Sequence, residues 1–252
     1  MVAEAAWTTL AERQGARAWL ARHGVAVDEP TPLLAVRVGA RVLATRSYQA
    51  YGVLFALVWA VVLVPPVPVL ARFLVLTVLC TAYPLLQWRR VRRADRAAAR
   101  LVTPGARPSL RVAAGQVGRW YFAAVATTFG GGAVLCAGFA ANPAGWAAAL
   151  VIGAASVALV LGWALRAPVI AEDEASRAVD AALRAHDARA FAVPFLFTFF
   201  PWIDLSTSWP WPPARFVPPA AYFVLSVVVY FRAVAEVRHR RLPPGRYGTV
   251  TP

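Results

Sequence analysis

Two charged side chains lie inside long apolar stretches of the sequence, a setting in which charge is costly enough to mark a candidate functional site. Arg72 is near the start of one stretch, and Asp204 is near the end of another. When these stretches are threaded through a membrane, both charges fall at similar depth near the outer face. There they could form an ion pair, or Asp204 could pair with Arg215. The alternative is that each charge extends separately to the lipid headgroups.

The other residues capable of chemistry form no recognised catalytic or metal-binding pattern. The histidines are His23, His186 and His239. They lie far apart in segments predicted to be cytosolic, and none has a second histidine at metal-binding spacing. The acidic cluster at 172–174 precedes a stretch with helical spacing, where acids stabilise a helix start. Cys80 and Cys136 fall in apolar segments and are expected to be small buried side chains. We therefore expect no enzymatic activity, no metal and no cofactor.

Composition indicates an integral membrane protein rather than a soluble domain. Of the 252 residues, 60% are apolar and only 15% are charged, and the mean hydropathy is +0.56. All 26 basic residues are arginine, and the net charge is +14. These arginines lie between apolar segments instead of being gathered among aromatic residues on one face. The distribution argues against nucleic acid as a partner and in favour of the lipid bilayer.

Six apolar segments approach the length needed to cross the hydrocarbon layer, which is about 17–25 helical residues. They are residues 48–64, 67–88, 120–140, 146–165, 191–205 and 216–231. The fifth is short and contains two prolines, so it fits either a kinked span or a segment that enters and returns. A returning segment would place the arginine-rich C-terminal tail outside, against the positive-inside tendency. The sequence therefore predicts an all-α integral membrane helical bundle with six transmembrane helices in three hairpins and both termini cytosolic.

The orientation of the bundle is set by the basic segment that follows the second span. The arginines that determine this topology are Arg89, Arg90, Arg92, Arg93 and Arg96. They lie in a predicted loop, and short loops rich in arginine are retained on the cytoplasmic face. With this loop inside, Arg72 and Arg215 are the only arginines placed outside. The expected location is the bacterial inner membrane.

The predicted organisation alternates cytosolic and membrane segments. The order is a cytosolic amphipathic segment 1–47, a first hairpin 48–88, a basic loop 89–119, a central hairpin 120–165, a cytosolic helix 166–190, a third hairpin 191–235 and a basic cytosolic tail 236–252. In the first segment, one helix is predicted to end near Gly24. A second helix places Arg37 and Arg41 opposite its apolar residues. It is expected either to lie on the lipid headgroups or to pack against the cytosolic ends of the bundle.

Small residues recur at helical spacing in the central hairpin. The residues predicted to mediate helix packing are Ala124, Thr128, Gly132 and Cys136 in the first helix, with Ala149 and Gly153 in the second. Small side chains at this spacing let helix backbones approach closely in a membrane. We expect close packing between the two helices. A hinge or permeation role for the glycine run 130–132 is the alternative.

Composition and span number resemble those of the small, uncharacterised multipass membrane proteins common in GC-rich bacteria, a resemblance that implies no activity. The expected function is that of a non-catalytic membrane component, such as a permease or an accessory subunit of a transport assembly. Its partners would be the bilayer and a cytosolic or membrane protein subunit. A membrane anchor or regulatory protein is the first alternative, and an intramembrane enzyme is the second. Transport would require a polar path, and polar residues in the spans are sparse.

Overall fold

The computed structural model describes residues 8–62, 67–207, 213–238 and 241–249, and helices dominate it. The helices are α1 (Leu10–Arg22), α2 (Pro32–Arg46), α3 (Tyr48–Val62), α4 (Val69–Ala98), α5 (Leu110–Val117), α6 (Arg119–Phe139), α7 (Pro143–Arg166), α8 (Glu174–Phe191), α9 (Phe200–Leu205) and α10 (Pro213–Arg238). A 3-10 helix, Pro194–Phe199, joins α8 to α9. Two short strands, β1 (Glu29–Pro30) and β2 (Gly248–Thr249), pair antiparallel and depart from the all-α expectation.

Among the described residues, five helical segments are long and apolar enough to cross a membrane. They are α4, α6, α7, the continuous segment from α8 to α9, and α10. This finding confirms the prediction of a helical protein with several helices long and apolar enough to span a membrane. The first predicted span corresponds to α3, which is equally apolar but has only 15 described residues. Positions 63–64 of that predicted span lie outside the described part of the chain.

Helix ends follow signals that the sequence already contains. Gly24 has φ +85° directly beyond α1, as expected for a glycine that ends a helix. Asp173 is the N-cap of α8, and its carboxylate accepts from the amide of Ser176. The Ser176 hydroxyl also donates to this carboxylate, and the two bonds lower the pKa of Asp173. The prediction that the acids at 172–174 begin a helix is confirmed.

The contacts of the described residues define two opposite ends of the helical bundle. At the first end, the N-terminal helices α1 and α2 pack with the C-terminal segment 241–249, because β1 pairs with β2 and the Thr31 amide donates to the Tyr247 carbonyl. At the second end, Asp204 contacts Asn142 in the turn between α6 and α7. The helices α4, α6, α7 and α10 run between these two ends.

The basic segment after the second predicted span is helical, which corrects the expectation of a loop. Helix α4 continues past Trp88 through Ala98 because no proline or glycine occurs between Pro84 and Pro104 and alanines favour the helix. Arg89, Arg90, Arg92, Arg93 and Arg96 therefore lie on the last turns of α4. Arg92 places its guanidinium carbon 2.9 Å from the centre of the Trp163 ring, while the side chains of the other four are exposed. The connection 89–119 also contains α5.

The segment 191–205, for which a kinked span and a returning segment were the alternatives, is helical but is not one regular α-helix. It continues α8 through the 3-10 helix into α9, and Pro194 marks the change because proline has no backbone N–H to donate. In the apolar 18-residue stretch of this α8–α9 segment, 72% of the residues are buried inside the protein. In the corresponding stretches of the other four candidate spans, the buried share is 28–39%. The segment is therefore surrounded by other helices and forms the centre of the structure.

The small residues predicted to mediate helix packing all lie at buried positions of α6 and α7: Ala124, Thr128, Gly132, Cys136, Ala149 and Gly153. They make room for aromatic side chains from elsewhere as well as for each other. A Cβ at Gly153 would clash with the Phe197 ring, and a Cβ at Gly132 would meet Leu150 and the Tyr222 hydroxyl. That hydroxyl donates to the Thr128 carbonyl over 2.7 Å. Helix α6 thus packs against α10 and the 3-10 helix in addition to α7.

Candidate functional site

Six charged residues from three helices meet at the first end of the bundle. Asp180, Arg184 and Asp187 share one face of α8 because their spacing follows the helical repeat. Arg37 and Arg41 are one turn apart on α2, and Asp95 lies near the end of α4. We call these six residues the arginine–aspartate network. All are buried except Asp95, which is half-buried.

Arg41 lies at the centre of the network and engages two carboxylates. Its Nε and Nη2 donate to the two oxygens of Asp187 over 2.8 and 2.7 Å. Its Nη1 and Nη2 also donate to the two oxygens of Asp95 over 3.0 and 2.8 Å. Burial alone would lower the pKa of Arg41, but the adjacent carboxylates of Asp187 and Asp95 raise it above its ordinary value. The guanidinium is therefore permanently charged.

Arg37 and Arg184 extend the network through a second aspartate. Arg37 donates from Nε to Asp95 over 3.0 Å and from Nη2 to Asp180 over 2.7 Å. Arg184 donates from Nε to the other oxygen of Asp180 over 2.8 Å. Its terminal nitrogens donate to the backbone carbonyls of Ala164, Ala167 and Pro168, just where α7 ends. The network thus joins α2, α4, α7 and α8.

The chemistry available to this network is structural. Three arginines balance three aspartates, and each carboxylate accepts at least two hydrogen bonds. A guanidinium does not release a proton in a protein, so the three arginines offer no general acid. Buried pairs of this kind fix geometry, because removing one partner leaves the other charged and desolvated. The arrangement orients four helices relative to one another.

Helix α2 was expected either to lie on the lipid headgroups or to pack against the ends of the bundle, and the structure shows the second arrangement. This helix packs against α1 and α4, and its arginines Arg37 and Arg41 are only 3% and 2% exposed. The helix therefore packs on the ends of the bundle instead of presenting these arginines to lipid headgroups. Sequence reasoning missed the network. The available signal was the regular spacing of Asp180, Arg184 and Asp187 in an alanine-rich helix, which matches the Arg37 and Arg41 spacing.

Arg72 and Asp204 both lie at the second end, but each binds other groups. Arg72 donates to the Val67 carbonyl and to the Ser206 hydroxyl, each over 2.8 Å. Asp204 accepts from the amides of Ala141 and Asn142 over 2.7 and 2.9 Å and from the Asn142 side chain over 3.0 Å. Among the ion pairs formed by described residues, none joins these two side chains or includes Arg215.

Asp204 has a positional role in place of the expected charge pairing. Its carboxylate lies at the beginning of α7, where backbone amides have no partner within the helix. An anion there is also favoured by the helix dipole. Asp204 therefore fastens the end of α9 to the turn between α6 and α7.

No other cluster among the described residues suggests catalysis or metal binding. No group of three or more His, Cys, Asp or Glu side chains in the described ranges is placed to hold a metal ion. Cys80 and Cys136 are buried free thiols. His23 and His186 line one pocket, and His239 lies outside the described residues.

Several hydroxyls of the apolar helices bind their own helix backbones, whereas the buried Thr128 and Ser226 hydroxyls have no hydrogen-bond partner among the described residues. The Thr77, Thr81 and Ser156 hydroxyls donate to carbonyls three or four residues earlier, a common way to satisfy such groups locally. These hydroxyls therefore do not line a polar path. The chain matches no protein-family profile, no curated protein and no solved structure.

Proposed function

We propose that the chain is an integral protein of the bacterial inner membrane with six transmembrane helices in three hairpins. The pairing of β1 with β2 supports this, because it holds the N-terminal helices and the C-terminal segment at the same end of the bundle. An even number of crossings must separate two segments on one side of a membrane. Five helical segments meet the length requirement. Helix α3, with Val53 and Leu57 exposed to the surroundings, supplies the sixth.

The first end of the bundle is cytosolic in this proposal. It carries the exposed arginines of α4, including Arg89 and Arg93, and both described terminal regions. Arginine-rich connections are retained on the cytoplasmic side. The second end, with Asp204 and the turn between α6 and α7, then lies at the outer face.

Cysteine labelling tests this orientation. In a variant with Cys80 and Cys136 replaced by alanine, single cysteines are introduced at the exposed positions Ala97 and Ala144. A membrane-impermeant maleimide applied to intact spheroplasts should label the Ala144→Cys variant only, and permeabilised spheroplasts should show labelling of both variants. Labelling of both positions in intact spheroplasts would contradict the proposed crossing pattern.

The proposed activity is that of a non-catalytic accessory or anchoring subunit of a membrane assembly. The observation that carries it is the arginine–aspartate network, which fixes the cytosolic helix α2 to α4 and α8 through Asp95 and Asp187, while α1 packs on α2. A rigid cytosolic layer is a suitable docking surface for a protein partner. The local hydrogen bonding of Thr77, Thr81 and Ser156 disfavours a permease, and the mutual pairing of the buried charges disfavours an enzyme.

Co-purification tests the subunit role. The chain is isolated from its native membrane in mild detergent, and its companions are identified and quantified by mass spectrometry. We expect a partner protein in fixed ratio, and we expect the combined Arg89→Gln and Arg93→Gln exchange to reduce its recovery, because these exposed arginines lie on the proposed docking face. The matched control is Arg215→Gln, an exposed arginine at the opposite end. Recovery of the chain alone would contradict the subunit role.

A further inference from the structure

An apolar groove lies beside α3, where this helix stands away from the centre of the bundle. The groove has a volume of about 510 Å³. Its walls include Tyr51, Gly52 and Phe55 from α3 and Phe195, Leu196 and Phe199 from the 3-10 helix. The volume falls within the range of about 300–1,000 Å³ that is typical of ligand sites. A groove with such walls, beside helices that face lipid, accepts a hydrocarbon chain.

A basic pocket adjoins this groove at the first end of the bundle. The pocket has a volume of about 570 Å³ and lies between α1, α2, α8 and α10. Its polar lining consists chiefly of Arg22, His23, Arg41, His186 and Arg189. Thr45, Arg189, Ala190 and Tyr230 line both spaces. The apolar groove and the basic pocket therefore meet at these four residues.

The polar groups of the pocket are suited to an anion. Arg22 is exposed, and among its described contacts only Nε donates a hydrogen bond, to the Ala18 carbonyl. Its terminal nitrogens are suited to a phosphate, because a guanidinium binds phosphate through paired N–H groups. The buried Nε2 of His186 has no hydrogen-bond partner. Among the described residues that line the pocket, none is acidic.

We propose that the groove and pocket together bind one anionic phospholipid from the cytosolic leaflet. One acyl chain lies in the apolar groove between α3 and the 3-10 helix, and the phosphate lies near Arg22 and His186. The apolar groove lies at the depth of the spans and matches the acyl chain of such a lipid. The basic pocket lies at the cytosolic face and matches the anionic headgroup. This inference rests on the proposed membrane placement of the chain.

The groove can be filled without disturbing the fold. A Cβ added at Gly52 meets no atom within 4 Å, although Gly52 lines the groove. A leucine at this position therefore extends into the space proposed for the acyl chain. Gly138 on α6 is equally open to a Cβ, is exposed, and does not line the groove. Gly138→Leu is the matched control.

Native mass spectrometry of the full chain in mild detergent tests the site with three probes: phosphatidylglycerol, phosphatidylcholine and inorganic phosphate. We expect one phosphatidylglycerol per chain, bound about tenfold more tightly than phosphatidylcholine, because the guanidinium favours a net negative headgroup. Gly52→Leu should abolish this binding, Arg22→Gln should weaken it about tenfold, and Gly138→Leu should leave it unchanged. Inorganic phosphate should neither bind nor compete.

Three outcomes would overturn the proposal: equal binding of the two lipids, wild-type binding by the Gly52→Leu variant, or competition by inorganic phosphate at concentrations equal to those of the lipid. Circular dichroism and size-exclusion chromatography establish that each variant is folded. Lipid binding in detergent is independent of the crossing pattern. A failure here therefore leaves the labelling at Ala97 and Ala144 unaffected, and a failed labelling result leaves the binding result valid.

Discussion

Replacing Arg41 with methionine is expected to lower the free energy of unfolding by about 3–5 kcal/mol, the loss that follows when one partner of a buried ion pair is removed. The reason lies in Asp187. This carboxylate is 6% exposed, and both its oxygens accept from Arg41 and from no other described side chain. The variant would leave a desolvated charge without a partner. Asp95 would be affected less because it also accepts from Arg37.

Reversible unfolding in mild detergent, followed by circular dichroism, measures this loss. Arg17→Met is the matched control, because Arg17 pairs with Asp28 on the exposed surface, where an ion pair contributes only about 0–1 kcal/mol. The double variant Arg41→Met with Asp187→Leu should recover most of the stability, since an apolar pair can replace a buried ion pair at little cost. Equal stability of Arg41→Met and Arg17→Met would show that the network does not hold the helices together.

The network could not be derived from the sequence, although each of its halves is visible there. Arg37 and Arg41 are one helical turn apart, and Asp180, Arg184 and Asp187 repeat the same periodicity. Each set was explicable locally, as the polar face of a surface helix. The pairing joins positions 41 and 187, and it depends on how the intervening helices bring α2 and α8 together. Hydrophobic periodicity identifies helices and their apolar faces, but it does not specify which polar faces meet.

The helices and their ends were easier to predict because their signals are local. Asp173 and Gly24 act within one turn of their own helices, and both take the capping roles that the sequence indicates. The basic segment after residue 88 was expected to form a loop because charge density marks the end of a membrane span. A run of arginines does not by itself end a helix, however, and α4 continues to Ala98. Charge density therefore did not locate the end of this helix.

The expected ion pair at the second end failed because backbone groups competed for the same charges. Depth along the spans correctly placed Arg72 and Asp204 at one end of the bundle. The position of a charge along a span gives no information about the amides at the start of α7, which donate to Asp204. Arg72 similarly finds a carbonyl and a hydroxyl close to it. A sequence-based argument that considers charges alone overlooks these partners.

Replacing Asp204 with asparagine is expected to lower the free energy of unfolding by about 1–3 kcal/mol, because hydrogen bonds to a charged acceptor are lost at a buried site. Asparagine keeps one acceptor oxygen, but its amide nitrogen would face the donors of Ala141 or Asn142. The 6% exposure of Asp204 leaves little room for water to replace the carboxylate. Thr207→Ala is the control, since the exposed Thr207 hydroxyl donates to the Asp204 backbone carbonyl and not to its carboxylate. Its effect should be much smaller.

Asp204 stabilises the protein either through the turn before α7 or through an ion pair with Arg72. A double-mutant cycle that combines Asp204→Asn with Arg72→Met separates these two explanations. Arg72 and Asp204 share no hydrogen-bond partner. Their effects on the free energy of unfolding should therefore add to within about 0.5 kcal/mol, as for independent sites. A coupling well above that value would indicate a direct ion pair between the two side chains. Additive losses would assign Asp204 to the start of α7 and Arg72 to the carbonyl and hydroxyl groups around it, so that the charges at the second end stabilise two connections separately.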